Sequence, residues 1–157
     1  MNRRILISGC LAGLRVRYDG NARPHPLLQE LARNAVLVPC CPEILGGLGV
    51  PRPRCRFVGG DGRAVLKGAA RIIDSAGNDR TDAFLRGAEE VMKVCRLIRP
   101  DLVIFKEGSP SCGVRRVDIE GTKQEGCGVT TAMLESLTAR IITEEDSVPA
   151  RLVPGRQ

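Results

Sequence analysis

Three cysteines in this chain are framed by glycine or proline in a way that could present a thiol to a ligand. Cys10 lies in Gly9-Cys-Leu-Ala-Gly13, Cys41 in Cys41-Pro-Glu43, and Cys112 in Lys106-Glu-Gly-Ser-Pro-Ser-Cys-Gly113. A thiolate is a soft ligand, suited to iron–sulfur clusters, zinc or copper. Two hydroxyls, Ser109 and Ser111, accompany Cys112, and one carboxylate, Glu43, follows Cys41 by two residues. A carboxylate there suits a general base acting on a bound water; it would equally cap the turn after Pro42. The contiguous Cys-x-x-Cys spacing of zinc ribbons and ferredoxins is absent, so a shared site has to be assembled by folding.

Composition narrows the chemistry further. Seven cysteines are many for one short chain, and the number is odd. Met1-Asn-Arg-Arg leads straight into Ile5-Leu-Ile7, too short an apolar run for a signal-peptide core, so a cytoplasmic location is expected. In a reducing compartment such thiols point to metal or catalysis rather than disulfides. No apolar run approaches the ~18 residues that cross a bilayer, so no membrane partner is expected. The net charge of +6 favours anionic ligands. Three Phe, one Tyr and no Trp leave few platforms on which exposed bases could stack, which argues against a dedicated nucleic-acid reader. The single histidine, His25, sits between two prolines, so a site built on several histidines is excluded.

The elements that must carry these residues follow from periodicity. Arg4–Ser8 is a short apolar run that predicts a strand buried on both faces, Val36–Cys40 predicts a second strand, and Leu102–Phe105 another buried one. Arg71–Asp74 and Ala139–Ile142 predict two more. Leu27–Asn34 and Val129–Leu137 predict short helices, and Ala83–Ile98 a long one capped by Thr81 or Asp82. In that helix Phe84, Ala88, Val91, Cys95 and Ile98 form one apolar stripe, which makes Cys95 a core residue. Cys40 alternates with Cys41 along its strand and is also expected in the core. Cys55 and Cys127 are left open. Gly46–Gly68 reads as an insertion with a hairpin-like turn at Gly59–Gly62, and Arg115–Gln124 as a polar, irregular stretch. Residues 1–146 form one expected domain, and 147–157 an expected flexible tail.

Alternating buried strands and helices predict an α/β fold, a Rossmann-like three-layer sandwich with a mainly parallel sheet. Ligands of such sheets bind beyond the carboxyl ends of the strands. Cys10, Cys41 and Cys112 each follow the end of a predicted strand, so parallel strands bring all three to one edge. Three thiolates on a cluster of four irons would leave one iron open to substrate.

Ser8-Gly-Cys-Leu-Ala-Gly13 with Arg17-Tyr-Asp-Gly20, Cys41-Pro-Glu43 with Gly46-Gly-Leu and Pro51-Arg-Pro53, Lys106 with Ser109-Pro-Ser-Cys-Gly113, and Gly128-Val-Thr together resemble the 2-thiouracil desulfidase family, a bacterial family. The resemblance spans about Ile5 to Glu145. It implies a [4Fe-4S] cluster on Cys10, Cys41 and Cys112, and non-redox removal of sulfur from a thiolated pyrimidine to give uracil and sulfide. It also implies that Glu43 and Ser109, ahead of Ser111, are the acidic and hydroxyl residues of the site. Arg56, Ile119-Glu-Gly121 and Cys127 depart from the family's usual pattern and bear on the exact substrate. Small thio-substrates are the expected partners, with thiolated RNA second, and iron–sulfur assembly proteins would load the cluster. Two rival readings carry the same cysteines. In one the chain is a non-catalytic sulfur or metal carrier; in the other, Cys127 closes the cluster as a fourth ligand and the chain transfers electrons.

Overall fold

The computed structural model describes residues 2–153. Its first sheet has the order β2-β1-β5-β8, made of Ala35–Cys40, Arg3–Ser8, Leu102–Phe105 and Arg140–Thr143. All three pairings are parallel, with Ile5 beside Leu37 and Leu102, and Val103 beside Ile141. Side chains alternate across this sheet. Ile5, Ile7, Leu102, Ile104 and Ile142 face helix α1 (Leu28–Asn34) through Leu31. Leu6, Val103 and Phe105 face Val91, Met92 and Cys95 of α4 (Thr81–Ile98) and Leu134 of α5 (Val129–Leu134). This is the expected three-layer α/β arrangement.

A second sheet, which the sequence does not predict, has the order β4-β3-β6-β7: Arg71–Asp74, Cys55–Val58, Arg116–Ile119 and Thr122–Glu125. Phe57 lies antiparallel beside Ile72 and parallel beside Ile119, and β6 and β7 form a hairpin. The stretch 46–68 is therefore not an insertion with a hairpin turn. It holds β3 and α3 (Gly62–Leu66), and Asp61 caps α3 by accepting the N–H groups of Arg63 and Ala64. Likewise Arg115–Gln124 is ordered strand. Its turn rests on Glu120 and Gly121, both at positive φ (53° and 86°), as tight hairpins require. These strands escape periodicity analysis because β7 is exposed at every residue and β3 and β6 each bury only alternate positions among charged neighbours.

Helix α4 ties the sheets together. The amino-terminal part of its stripe, Phe84 and Ala88, packs with Phe57, Ile72 and Val117 of the second sheet, and the remainder packs on the first. The cap differs from expectation: neither Thr81 nor Asp82 serves, and Asp79 accepts the Thr81 N–H at 2.9 Å while Thr81 Oγ1 accepts the Ile72 N–H. Helix α5 is also shorter than expected. Within the segment expected to be a flexible tail, residues 150–152 form a 3₁₀ turn, and Leu152 and Val153 are buried against Ile5 and Leu31. The rest of that tail, 154–157, lies outside the described residues. No described helix is long and apolar enough to cross a membrane.

One close approach connects the scaffold to the loop carrying Glu43. The short helix α2 (Pro42–Leu45) lies on α4 so tightly that a Cβ on Gly87 would strike the Pro42 carbonyl, and one on Gly46 the Ala83 carbonyl. Alanine normally gains about 1 kcal/mol over glycine inside a helix. Here Gly87→Ala is expected to destabilise the chain instead, by about 1–3 kcal/mol for overpacking, as read by urea unfolding. A neutral or stabilising result would mean that the two helices are free to separate.

Candidate active site

Three strand ends of the first sheet, those of β1, β2 and β5, open into one cavity of about 290 Å³. After β1, the chain turns at Gly9, whose N–H donates to the Cys40 carbonyl at 2.8 Å, and presents Cys10. After β2, Cys41 precedes Pro42, the first residue of α2, so Glu43 falls in the first turn of that helix. After β5, the Lys106 N–H donates to Ser8 Oγ and the loop runs on to Cys112. Cys10, Cys41, Cys112, Glu43, Ser109 and Ser111 all line the cavity, so the residues singled out from sequence are brought together.

The Cys112 loop is held from within by Glu107, a residue that sequence reasoning passed over. Its buried carboxylate accepts the backbone N–H groups of Gly108, Val114, Arg115 and Arg116 at 2.9–3.2 Å. Ser109 Oγ accepts the N–H groups of Ser111 and Cys112, both at 3.2 Å, and Thr131 Oγ1 donates to the Cys112 carbonyl. Gly128 lets the start of α5 rest directly on the Ser111 backbone, where a side chain would collide.

Glu43 is fixed at both oxygens. Arg52 Nε donates to Oε1 at 3.1 Å and Ser111 Oγ donates to Oε2 at 3.1 Å, with the two side chains of the ion pair only 7% and 13% exposed. Arg52 is itself held by the carbonyls of Val16 and Gly49. Ser109 and Ser111 stand 2.9 Å apart. A hydroxyl has one proton, and that of Ser111 is directed at Glu43, so Ser109 is the donor of the pair. The result is a chain, Ser109 to Ser111 to Glu43. Its order differs from the sequence expectation: Ser111 touches the carboxylate, and Ser109 stands one step behind it, shaping the loop. Ser111→Ala is accordingly expected to reduce turnover more than Ser109→Ala. A hydrogen bond to a charged group is worth about 1.5–3 kcal/mol, so the Ser111 loss should be about ten- to a hundredfold, measured as kcat at equal cofactor content. A larger loss from Ser109→Ala would reverse the assignment.

The three thiols are soft, sequestered donors. Cys10 and Cys112 are 8% and 3% exposed, and Cys41 is half-buried. Burial raises the pKa of Cys10, a rise opposed by the charges of Arg17 and Lys106. Burial also pushes up Cys41, and pushes up the fully enclosed Cys112 despite the Ser8 and Ser111 hydroxyls beside it. A ligand that captures these sulfurs must therefore displace protons, which soft metal centres do. Among the described residues no three His, Cys, Asp or Glu side chains close around one metal ion. Three thiols spread over a cavity wall fit a polynuclear cluster, whose ligands stand farther apart than those of a single ion.

The remaining cysteines sort clearly. Cys95 is buried on α4, and burial pushes its thiol up to about 11. Cys40 is buried beside Leu6 and Cys95, as expected, and also borders the cavity. Cys55 borders it too; its Sγ donates to the Pro53 carbonyl, and burial pushes it up to about 12. Cys127 does not reach the cavity. It is fully buried near α3, with its N–H on Asp61, and burial pushes it up to about 11. Asp19 is a turn residue, accepting the Asn21 N–H. Lys106 and Arg52 are part-buried and ion-paired: Arg52 with Glu43, and Lys106 Nζ 2.6 Å from Glu144 Oε1. Glu144 follows β8, so the strand-end rule that found the cysteines could have found it. At the mouth, Arg17 and Arg54 lie over the Tyr18 ring at 5.6 and 5.9 Å, and Asp118 and Lys123 of the β6–β7 hairpin form a further wall.

Known proteins resemble this chain over nearly its whole length. A family model described as 2-thiouracil desulfurase matches residues 5–146. The uncharacterised protein YbbK of Bacillus subtilis (strain 168) is 37% identical over 145 residues, 90% of this chain and 96% of that protein. The solved structure of the [4Fe-4S]-dependent thiouracil desulfidase TudS is 33% identical, covers 92% of each chain and superposes with a TM-score of 0.77.

Proposed function

This chain belongs to the 2-thiouracil desulfurase family, and from that membership we propose that it removes sulfur from a thiolated pyrimidine such as 2-thiouracil, giving uracil and sulfide without net oxidation. Cys10, Cys41 and Cys112 are the residues that would hold a [4Fe-4S] cluster, the cofactor on which the solved relative TudS depends. When bound, such a cluster supplies one iron without a protein ligand, a Lewis acid that polarises the thiocarbonyl and prefers sulfur to oxygen.

The observation that carries the reading is Glu43, held by Arg52 and Ser111 in the same cavity as the three thiols. Glu43 takes a proton from the attacking water, which must reach the thiocarbonyl carbon. Arg52 keeps the carboxylate oriented, so no side-chain freedom is lost when the substrate arrives. Ser111 and Ser109 give the captured proton a route along two hydroxyls.

A pure carrier of sulfide has no use for an oriented carboxylate, so the geometry favours the enzyme. Electron transfer through a cluster closed by Cys127 has no support, because that thiol is buried away from the cavity. Free thiolated bases are favoured over thiolated RNA: the three Phe are fully buried, leaving Tyr18 as the one aromatic platform at the mouth. Loading by iron–sulfur assembly proteins and a cytoplasmic location belong to the same proposal. The test is anaerobic conversion of 2-thiouracil to uracil by the reconstituted chain, with iron and sulfide counted. Iron-loaded protein that forms no uracil would overturn it.

A further inference from the structure

Glu43 accounts for the oxygen side of the exchange and leaves the sulfur side without a partner. In replacing C=S by C=O, carbon gains its bonds to the water oxygen and loses its bonds to sulfur. One proton of the water goes to Glu43 and the other ends on sulfur, which leaves as hydrosulfide, and no electrons are gained or lost. Sulfur departs carrying negative charge, next to three thiolates and the Glu43 carboxylate. A cavity so rich in anions needs a cation with a free donor at that point.

The cations of the cavity differ in what they have left to offer. Arg52 is committed to Glu43, Val16 and Gly49. Arg17 faces Asp19 at 3.6 Å through a buried Nε that makes no hydrogen bond, and both Arg17 and Arg54 lean over Tyr18 at the mouth. Lys123 lies on the exposed strand β7. Lys106 is part-buried at the end of β5, the strand whose loop carries Cys112 and which pairs with the Cys10 strand β1, and its charge bears on Cys10 together with that of Arg17. Its ammonium has three donors. One goes to Glu144 Oε1 at 2.6 Å and one to the Glu107 carbonyl at 3.1 Å, leaving one for the cavity it lines. Glu144 is anchored in turn, because its Oε2 accepts the Glu107 N–H at 2.8 Å.

We propose that Lys106, held by Glu144 and the Glu107 carbonyl, directs its remaining N–H to the departing sulfur and retains hydrosulfide in the cavity. This rests on the desulfidase reading and assigns a residue to the half of the reaction that Glu43 does not serve. Lys106 donates a hydrogen bond and is not consumed.

The test titrates the anaerobically reconstituted chain with sodium sulfide, followed by visible circular dichroism, with iron measured in each sample. Lys106→Met is expected to keep its iron and bind sulfide about ten- to a hundredfold more weakly, the loss of one charge-assisted hydrogen bond. Lys106→Arg, which keeps the charge, should recover most of that affinity. Glu144→Gln, which releases the ammonium from its carboxylate, should strengthen sulfide binding, a sign opposite to that of general damage. Equal affinity in Lys106→Met and wild type at equal iron overturns the proposal. If Lys106→Met does not hold iron, Glu144→Gln decides: tighter binding supports the role, and unchanged or weaker binding overturns it. Uracil formation is measured on the same wild-type sample. Sulfide binding that depends on Lys106 without any uracil would overturn the desulfidase reading and leave Lys106 as a sulfide ligand. Turnover with a Lys106-independent sulfide affinity would overturn Lys106 alone. A wild-type chain that takes up no iron would remove both.

Discussion

Glu43→Gln is expected to lower turnover of 2-thiouracil by about 10²–10⁴-fold, the usual contribution of a general base, while leaving iron content and sulfide binding intact. The substitution preserves size and shape, and the glutamine carbonyl can still accept one of the two hydrogen bonds that Arg52 and Ser111 now give the carboxylate. What it removes is basicity and charge. Arg52, 7% exposed in its side chain, would lose its carboxylate partner, so some stability should fall too; breaking a buried pair costs more than an exposed one. Rate and stability must therefore be read separately, at equal iron and well below the unfolding midpoint. Equal rates in the two proteins would remove Glu43 from the chemistry, and the carboxylate would then be only the anchor for Arg52.

Cys112→Ala is expected to abolish cluster retention, and with it the broad visible absorbance after anaerobic reconstitution. Cys112 is the most enclosed of the three thiols, 3% exposed, on a loop fixed by Glu107, Ser109 and Thr131. Cys10→Ala and Cys41→Ala should behave alike. Cys127→Ser is the contrast: it should keep its iron and lose stability, because a hydroxyl buried without a partner costs about 1–3 kcal/mol. A Cys112→Ala protein with a full complement of four irons would refute the ligand assignment.

The first sheet and the meeting of the cysteines were legible in the sequence for one reason. Buried strands leave continuous apolar runs, as β1 and β5 do, and β2 keeps an apolar run although it is an edge strand that buries only Cys40. Once they are parallel, Cys10, Cys41 and Cys112 fall on one edge whatever the details of the loops. The stripe of α4 was legible on the same grounds, and it placed Cys95 in the core. The second sheet was not legible, because β3, β6 and β7 are short, half-exposed and charged; they are strands through their neighbours rather than through their own patterns. Helix caps and the packed 3₁₀ turn at 150–152 likewise depend on contacts distant in sequence.

The types of residue in the site were set by the sequence alone: soft thiols, one carboxylate, two serines and a basic surround. Which serine touches Glu43, that Arg52 and Lys106 are ion-paired rather than solvated, that Glu107 is the hub of the Cys112 loop, and that Cys127 stays away were decided by the tertiary structure. Hydrogen-bond partners such as Glu43 and Ser111 are 68 residues apart, and a bond of about 3 Å depends on the exact approach of two loops. Residue chemistry and strand direction survive any small change in that approach, whereas the identity of a hydrogen-bond partner does not.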